Sequence, residues 1–155
     1  MKNKGFTLIE LIITAALVLL MTAVALPPLG KYMVGNSTAE SASEMSTFIQ
    51  TARNRAIHGN FNDSYGVRLL SDRFILFKGA VFSAGESDNR TTLLPPGLEI
   101  ADVTLAGGGT DIIFTDILGR TSQPGSAKIR VIGSPDHWLV TVSAEGVVET
   151  GWVDL

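Results

Sequence analysis

Few residues in this chain have a type and spacing that could do chemistry. The only histidines are His58 and His137. Asp136-His137 puts a carboxylate beside an imidazole, the raw material of general-base catalysis. Neighbours along a chain usually point apart, however, and no Gly-x-Ser-x-Gly nucleophile turn accompanies them. Two histidines without spaced partners are no metal signature. The absence of cysteine removes thiolate nucleophiles, thiolate metal sites and disulfides together. Glu86, Asp88 and Asn89 offer oxygens to a cation but lack the EF-hand spacing, so we expect a solvated acidic loop. Gly107-Gly108-Gly109-Thr110 lacks the lysine of a phosphate-binding loop and reads as a turn. No catalytic residue, metal or cofactor is expected.

One carboxylate stands apart. Glu10 is the sole charge in the apolar run Phe6–Leu26. As a helix that run would be about 31 Å long, close to the ~30 Å hydrocarbon core of a bilayer. Lys2 and Lys4 precede it, which puts the N-terminus in the cytoplasm and the chain beyond Lys31 across the membrane. Ala23-Val24-Ala25 would also serve as the cleavage site of an ordinary secretory signal. Against that reading, the run exceeds the usual signal core, and an acidic residue inside a membrane helix costs on the order of 2.5–3.5 kcal/mol, less near its end. Such a carboxylate becomes tolerable with a positive partner. Cleavage just before Phe6 would create one, an α-amino group four residues from Glu10 on the same helix face. The pair could form within one chain or between neighbouring helices.

Lys4-Gly5-Phe6-Thr7-Leu8-Ile9-Glu10, opening an apolar run behind a short basic leader, resembles the signature of type IV pilins and type II secretion pseudopilins. The resemblance implies cleavage by a prepilin peptidase after Gly5 and N-methylation of Phe6. It implies for Glu10 the family's role in recruiting and aligning subunits during assembly. Pro27 falls where the family often has a helix-bending proline, and Pro28 follows it.

Beyond the prolines the pattern becomes amphipathic. Tyr32, Met33, Met45, Phe48, Ile49, Ala52, Ala56 and Ile57 form an approximate helical stripe, with Ser41, Glu44, Thr47, Gln50 and Arg53 between them. Arg53 and Arg55 read as a solvated face, and Gly59-Asn60 as the stop. Helix is expected from about Phe6 to His58, disturbed at Pro27 and Pro28, which remove two backbone donors. Tyr65, Val67 and Leu69 then alternate with polar or small residues, and Arg73–Lys78 is a second strand candidate. Further strands are expected near Leu98–Leu105, Asp111–Thr115, Lys128–Ile132, Trp138–Ser143 and Val147–Thr150, separated by Gly- and Pro-rich loops. Ser71-Asp72 should turn the first hairpin. Trp138 and Trp152 read as core or edge packing. The fold class is α+β: a long N-terminal helix, hydrophobic and then amphipathic, packed on a small antiparallel sheet. The expected division is leader 1–5, hydrophobic transmembrane or filament-core helix 6–28, and soluble head 29–155.

The second half adds a further resemblance. Thr51-Ala52-Arg53-Asn54-Arg55-Ala56-Ile57, Leu94-Pro95-Pro96-Gly97, the Phe114…Gly119-Arg120 turn and Gly146-Val147-Val148 are similar to the GspH/FimT class of minor pilins and pseudopilins. This implies a structural, non-enzymatic subunit of a pilus or secretion pseudopilus. Its implied partners are other pilins or pseudopilins, the prepilin peptidase and an inner-membrane assembly platform. It would sit in the bacterial inner membrane by a single pass before assembly, its head periplasmic or extracellular. Alternatives are a major pilin that forms the shaft, or a tip subunit that binds DNA or a secreted substrate. The net charge of -3 argues against nucleic acid as a bulk partner, although a local basic patch is not legible in sequence.

Overall fold

The computed structural model describes residues 7–25, 27–59, 63–115 and 117–154. Two helices precede eight strands: α1 (Leu8–Ala25), α2 (Pro27–His58), β1 (Tyr65–Leu70), β2 (Arg73–Lys78), β3 (Arg90–Leu93), β4 (Leu98–Leu105), β5 (Asp111–Phe114), β6 (Gly125–Val131), β7 (His137–Val142) and β8 (Val148–Val153). Contacts divide the chain into two compact units, Met1–Asn36 and Ser37–Leu155. The α+β class is as expected, but the head has two four-stranded sheets rather than one. Their strand orders are β3-β2-β1-β5 and β4-β6-β7-β8, antiparallel throughout.

In the head unit, α2 presents Ala42, Met45, Ile49, Ala52 and Ala56 to a core shared with both sheets. Their three- and four-residue spacing keeps them on one helix face. The alanines admit the sheets closely, while Met45 and Ile49 supply volume. Phe48 meets Phe74 of β2 edge to face, ring centroids 4.9 Å apart, the arrangement aromatic quadrupoles favour. Ser41 departs from expectation. It is buried beside Ala42, because it lies on the same face as Met45 one turn on, and position outweighs its polarity. The side chains of Tyr32 and Met33 lie outside the description.

β1 and β2 pair in the register that a Ser71-Asp72 turn demands, Leu70 opposite Arg73. The turn also holds the second sheet, where Ile100 N–H donates to the Ser71 carbonyl at 2.8 Å, and the end of β3, where Leu94 N–H donates to that of Asp72 at 2.9 Å. β3 is a strand the sequence does not announce. Its Arg-Thr-Thr-Leu run has almost no buried side chain and is specified by pairing with β2.

Candidate assembly site

The N-terminal end of α1 is built by Thr7. Its backbone carbonyl accepts from Glu10 N–H at 3.1 Å and from Leu11 N–H at 3.2 Å. Its hydroxyl lies 3.4 Å from the same Glu10 N–H. Thr7-Leu8-Ile9-Glu10 thus has the Thr-x-x-Glu spacing of a capping box. That spacing is legible in the sequence and makes Thr7 a positioning residue for Glu10. Glu10 consequently sits in the first turn, where the positive end of the helix dipole favours a carboxylate.

Around it α1 is apolar on every side. Residues 7–23 are all exposed in the single chain, Leu8 at 78% and Ile13, among the least exposed of the large apolar residues here, at 53%. A helix apolar all round needs a surrounding apolar medium or a shell of other helices. The other polar side chains of α1 conform to that need. Thr14 donates its hydroxyl to the Glu10 and Leu11 carbonyls, each at 2.9 Å. Thr22 donates to the Val18 carbonyl at 2.6 Å. Both hydroxyls are satisfied by their own helix, which leaves Glu10 as the polar group directed outward. Among the described residues its carboxylate makes no ion pair.

Gly5 and Phe6 lie outside the described residues. Pro27 and Pro28 open α2, where a missing N–H has no helical acceptor to lose. The bend expected there turns on Leu26, also outside the description. Among the described residues no helix is long and apolar enough to cross a membrane. At 18 residues, α1 is about 27 Å long against the ~30 Å of a hydrocarbon core. The apolar run continues in sequence through Phe6 and Leu26.

In the head, Arg53 overturns the expectation of a solvated face. Its Nε donates to the Gly119 carbonyl at 3.0 Å and its Nη2 to the Glu145 carbonyl at 3.4 Å. Gly119 and Gly146 have φ of +68° and +77°, and neither has room for a Cβ beside the Arg53 side chain. A left-handed backbone and a filled space together require glycine. Separate stretches around residues 53, 119 and 146 thus converge on one clasp that ties α2 to two turns. Arg55, by contrast, only approaches the Tyr65 ring, 5.9 Å from its centroid.

The remaining polar candidates have local partners. His58 and His137 each bring Nδ1 to a backbone carbonyl, of Asn54 at 2.8 Å and Pro135 at 2.9 Å. Glu86 and Asp88 are exposed, and Asn89 donates to the Ser83 carbonyl at 2.9 Å. No group of three or more metal-ligating acids or histidines forms among the described residues. Ion pairs on the head move several groups from their ordinary values. Hydrogen bonding to Arg73 holds the Asp72 carboxyl down, and hydrogen bonding to Lys128 does the same for Asp102. Glu145 is lowered by its own backbone N–H and by the Ser143 hydroxyl.

Residues 1–26 match the family model of the prokaryotic N-terminal methylation motif. No curated protein matches the chain. Two solved structures of the minor pseudopilin EpsH from the type II secretion system of Vibrio cholerae are similar in fold. One is 18% identical with a TM-score of 0.56, covering 75% of this chain and 97% of that one. The other is 17% identical with a TM-score of 0.56, covering 74% and 95%. The chain thus shares the N-terminal methylation motif over its first 26 residues and an EpsH-like fold over about three quarters of its length.

Proposed function

We propose that this chain is a minor subunit of a pilus or secretion pseudopilus, held in a membrane by its apolar N-terminal helix before assembly. The observation that carries the reading is α1 itself: exposed apolar residues on all sides, hydroxyls folded onto the backbone, and Glu10 in the first turn. In hydrocarbon that surface faces lipid, and in a filament it faces like helices. Peptidase cleavage after Gly5 removes the basic leader and frees the Phe6 amine, which is then methylated. The amine pairs with Glu10 of the same or a neighbouring chain, and an interchain pair sets axial register. Pro27 and Pro28 interrupt the helical run where the apolar segment ends. Other pilins, the prepilin peptidase and the assembly platform are the partners, and the protein acts by assembly rather than catalysis.

The test is intact-mass and N-terminal peptide analysis of protein from its native membrane. Methylated Phe6 at the mature N-terminus is expected. A mature N-terminus at Leu26 identifies an ordinary signal peptide and removes the filament reading.

A further inference from the structure

The edges of the two sheets are treated unequally. On β5, the Ile113 carbonyl accepts from the Thr121 hydroxyl at 2.8 Å, and its N–H lies 3.3 Å from Gln123 Oε1. β4 donates from Ile100 N–H to the Ser71 turn at 2.8 Å. β3 is blunted by its length of four residues and by Arg90, both ordinary protections of an edge. β8 ends the second sheet at six residues, with Glu149 as its only charge. It contains no proline or lysine, and Glu149 through Trp152 are exposed. Ser143 N–H bonds the Val147 carbonyl at 2.9 Å, and antiparallel pairs alternate between bonded and open. In the β7–β8 register, Val148, Thr150 and Trp152 therefore turn their peptide groups to the open side.

This edge has a side-chain character as well as open hydrogen bonds. On the sheet face away from the core, a shallow groove is lined by Leu139, Thr141, Glu149, Thr150, Gly151 and Val153. Nothing lies within 4 Å of the position a Gly151 side chain would take. On the other face Trp152 stacks edge-on with Trp138, centroids 5.9 Å apart, and is 49% exposed. From Trp138 to Leu155 the chain carries Glu145, Glu149 and Asp154 and no basic residue.

We propose that β8 is a strand-docking edge for an extended segment of a partner protein. The segment carries a Lys or Arg opposite Gly151 and apolar residues at alternate positions. Its peptide groups bond those of Val148, Thr150 and Trp152, the mode of recognition by strand addition. The basic stem lies over Gly151 while its head reaches Glu149, away from Lys128, which stands opposite Leu139 and is held by Asp102 at 3.0 Å. The apolar residues cover Trp152. The occupant is chosen by charge complementarity, and the argument uses the head alone, so it does not depend on the filament reading.

The probe is a capped peptide of about eight residues, a usual strand length, alternating valine and threonine with one central threonine replaced by lysine. Its binding to the full-length chain in detergent is followed by tryptophan emission, which only Trp138 and Trp152 supply. A saturable change is expected, with the glutamate-for-lysine peptide weaker by about tenfold, equivalent to about 1.4 kcal/mol. Thr150→Pro should abolish binding and leave the melting temperature unchanged, because the lost N–H faces away from β7. Glu149→Lys, which touches no backbone bond, should reverse the order of the two peptides and carries the test if the proline variant melts early. Thr150→Cys, in a chain with no other cysteine, should remain monomeric under oxidation. No saturable response, equal binding by the proline variant, an unreversed peptide order, or a disulfide dimer showing self-pairing each overturns the proposal.

Discussion

Polar groups serve opposite ends in the two units of this chain. On α1 the threonine hydroxyls close onto the helix that bears them, and the apolar side chains face outward. In the head the apolar side chains face inward, and a long polar side chain, Arg53, reaches across to other segments. The first arrangement asks its surroundings to be apolar. The second is satisfied internally and tolerates water. A substitution should therefore affect assembly or folding according to the unit it falls in.

The largest separation is expected at Glu10. Glu10→Leu should lower the ratio of filament-bound to membrane-bound protein by about tenfold or more, the loss of a charge-assisted contact in a low-dielectric setting. Cleavage after Gly5 and the melting of the head should stay as they are. The strain should carry no wild-type copy, since partners can supply their own carboxylates. Equal incorporation of a cleaved, stable mutant would remove the assembly role of Glu10.

Phe74→Ala probes the other side. Phe74 is fully buried and its ring is edged by Phe48, so about 3–5 kcal/mol of head stability should be lost. Denaturant unfolding measures this, and processing at Gly5 should proceed normally in protein that still inserts. Coupled loss of folding and cleavage would show that the division by unit is false.

A smaller effect sharpens the contrast within α2 itself. Arg53→Met keeps the stem but leaves the Gly119 carbonyl without its donor, for about 1–3 kcal/mol. Arg55→Met should cost about 1 kcal/mol at most, because this half-buried side chain gives up only its approach to the Tyr65 ring. Similar losses for both would make Arg53 an ordinary surface residue.

The smallest effect is electrostatic. Asp72 and Asp102 have carboxyls held below their ordinary values by Arg73 and Lys128. A depressed folded value adds stability above the unfolded value of about 4 and loses it as pH falls through the folded one. Melting curves at decreasing pH should show this component shrink in Asp102→Asn relative to wild type. Both carboxylates are solvent-exposed and screened, so the difference should be slight. A larger acid sensitivity in the mutant would reverse the assigned sign.

Legibility in the sequence followed the strength of local pattern. β1 runs where Val67 and Leu69 alternate with less buried neighbours, and β2 where a short continuous apolar run, Phe74 to Phe77, is buried on both faces. β3 escaped because an exposed edge strand imposes neither pattern. β8 extends beyond the expected Thr150 to Val153, since pairing with β7 overrides Gly151. Ser41 and Arg53 were read by their polarity, whereas their positions on α2 decide their burial and bonding. The motif around Glu10 was plain, while Thr7 was visible only as a capping pattern. The roles of Gly5, Phe6, Pro27 and Pro28 are legible only through resemblance, because no local pattern of apolar or capping residues marks them.

The Arg53 clasp bears on the order in which the chain can be completed. Its guanidinium bonds carbonyls 66 and 92 residues downstream, contacts of high sequence separation that form late and slowly. During synthesis α1 emerges first, long before Glu145 exists to close the clasp. The apolar helix must therefore be received by its environment while the head is still open. A chain ending before Glu145 would leave Arg53 short of one acceptor and the second sheet without β8.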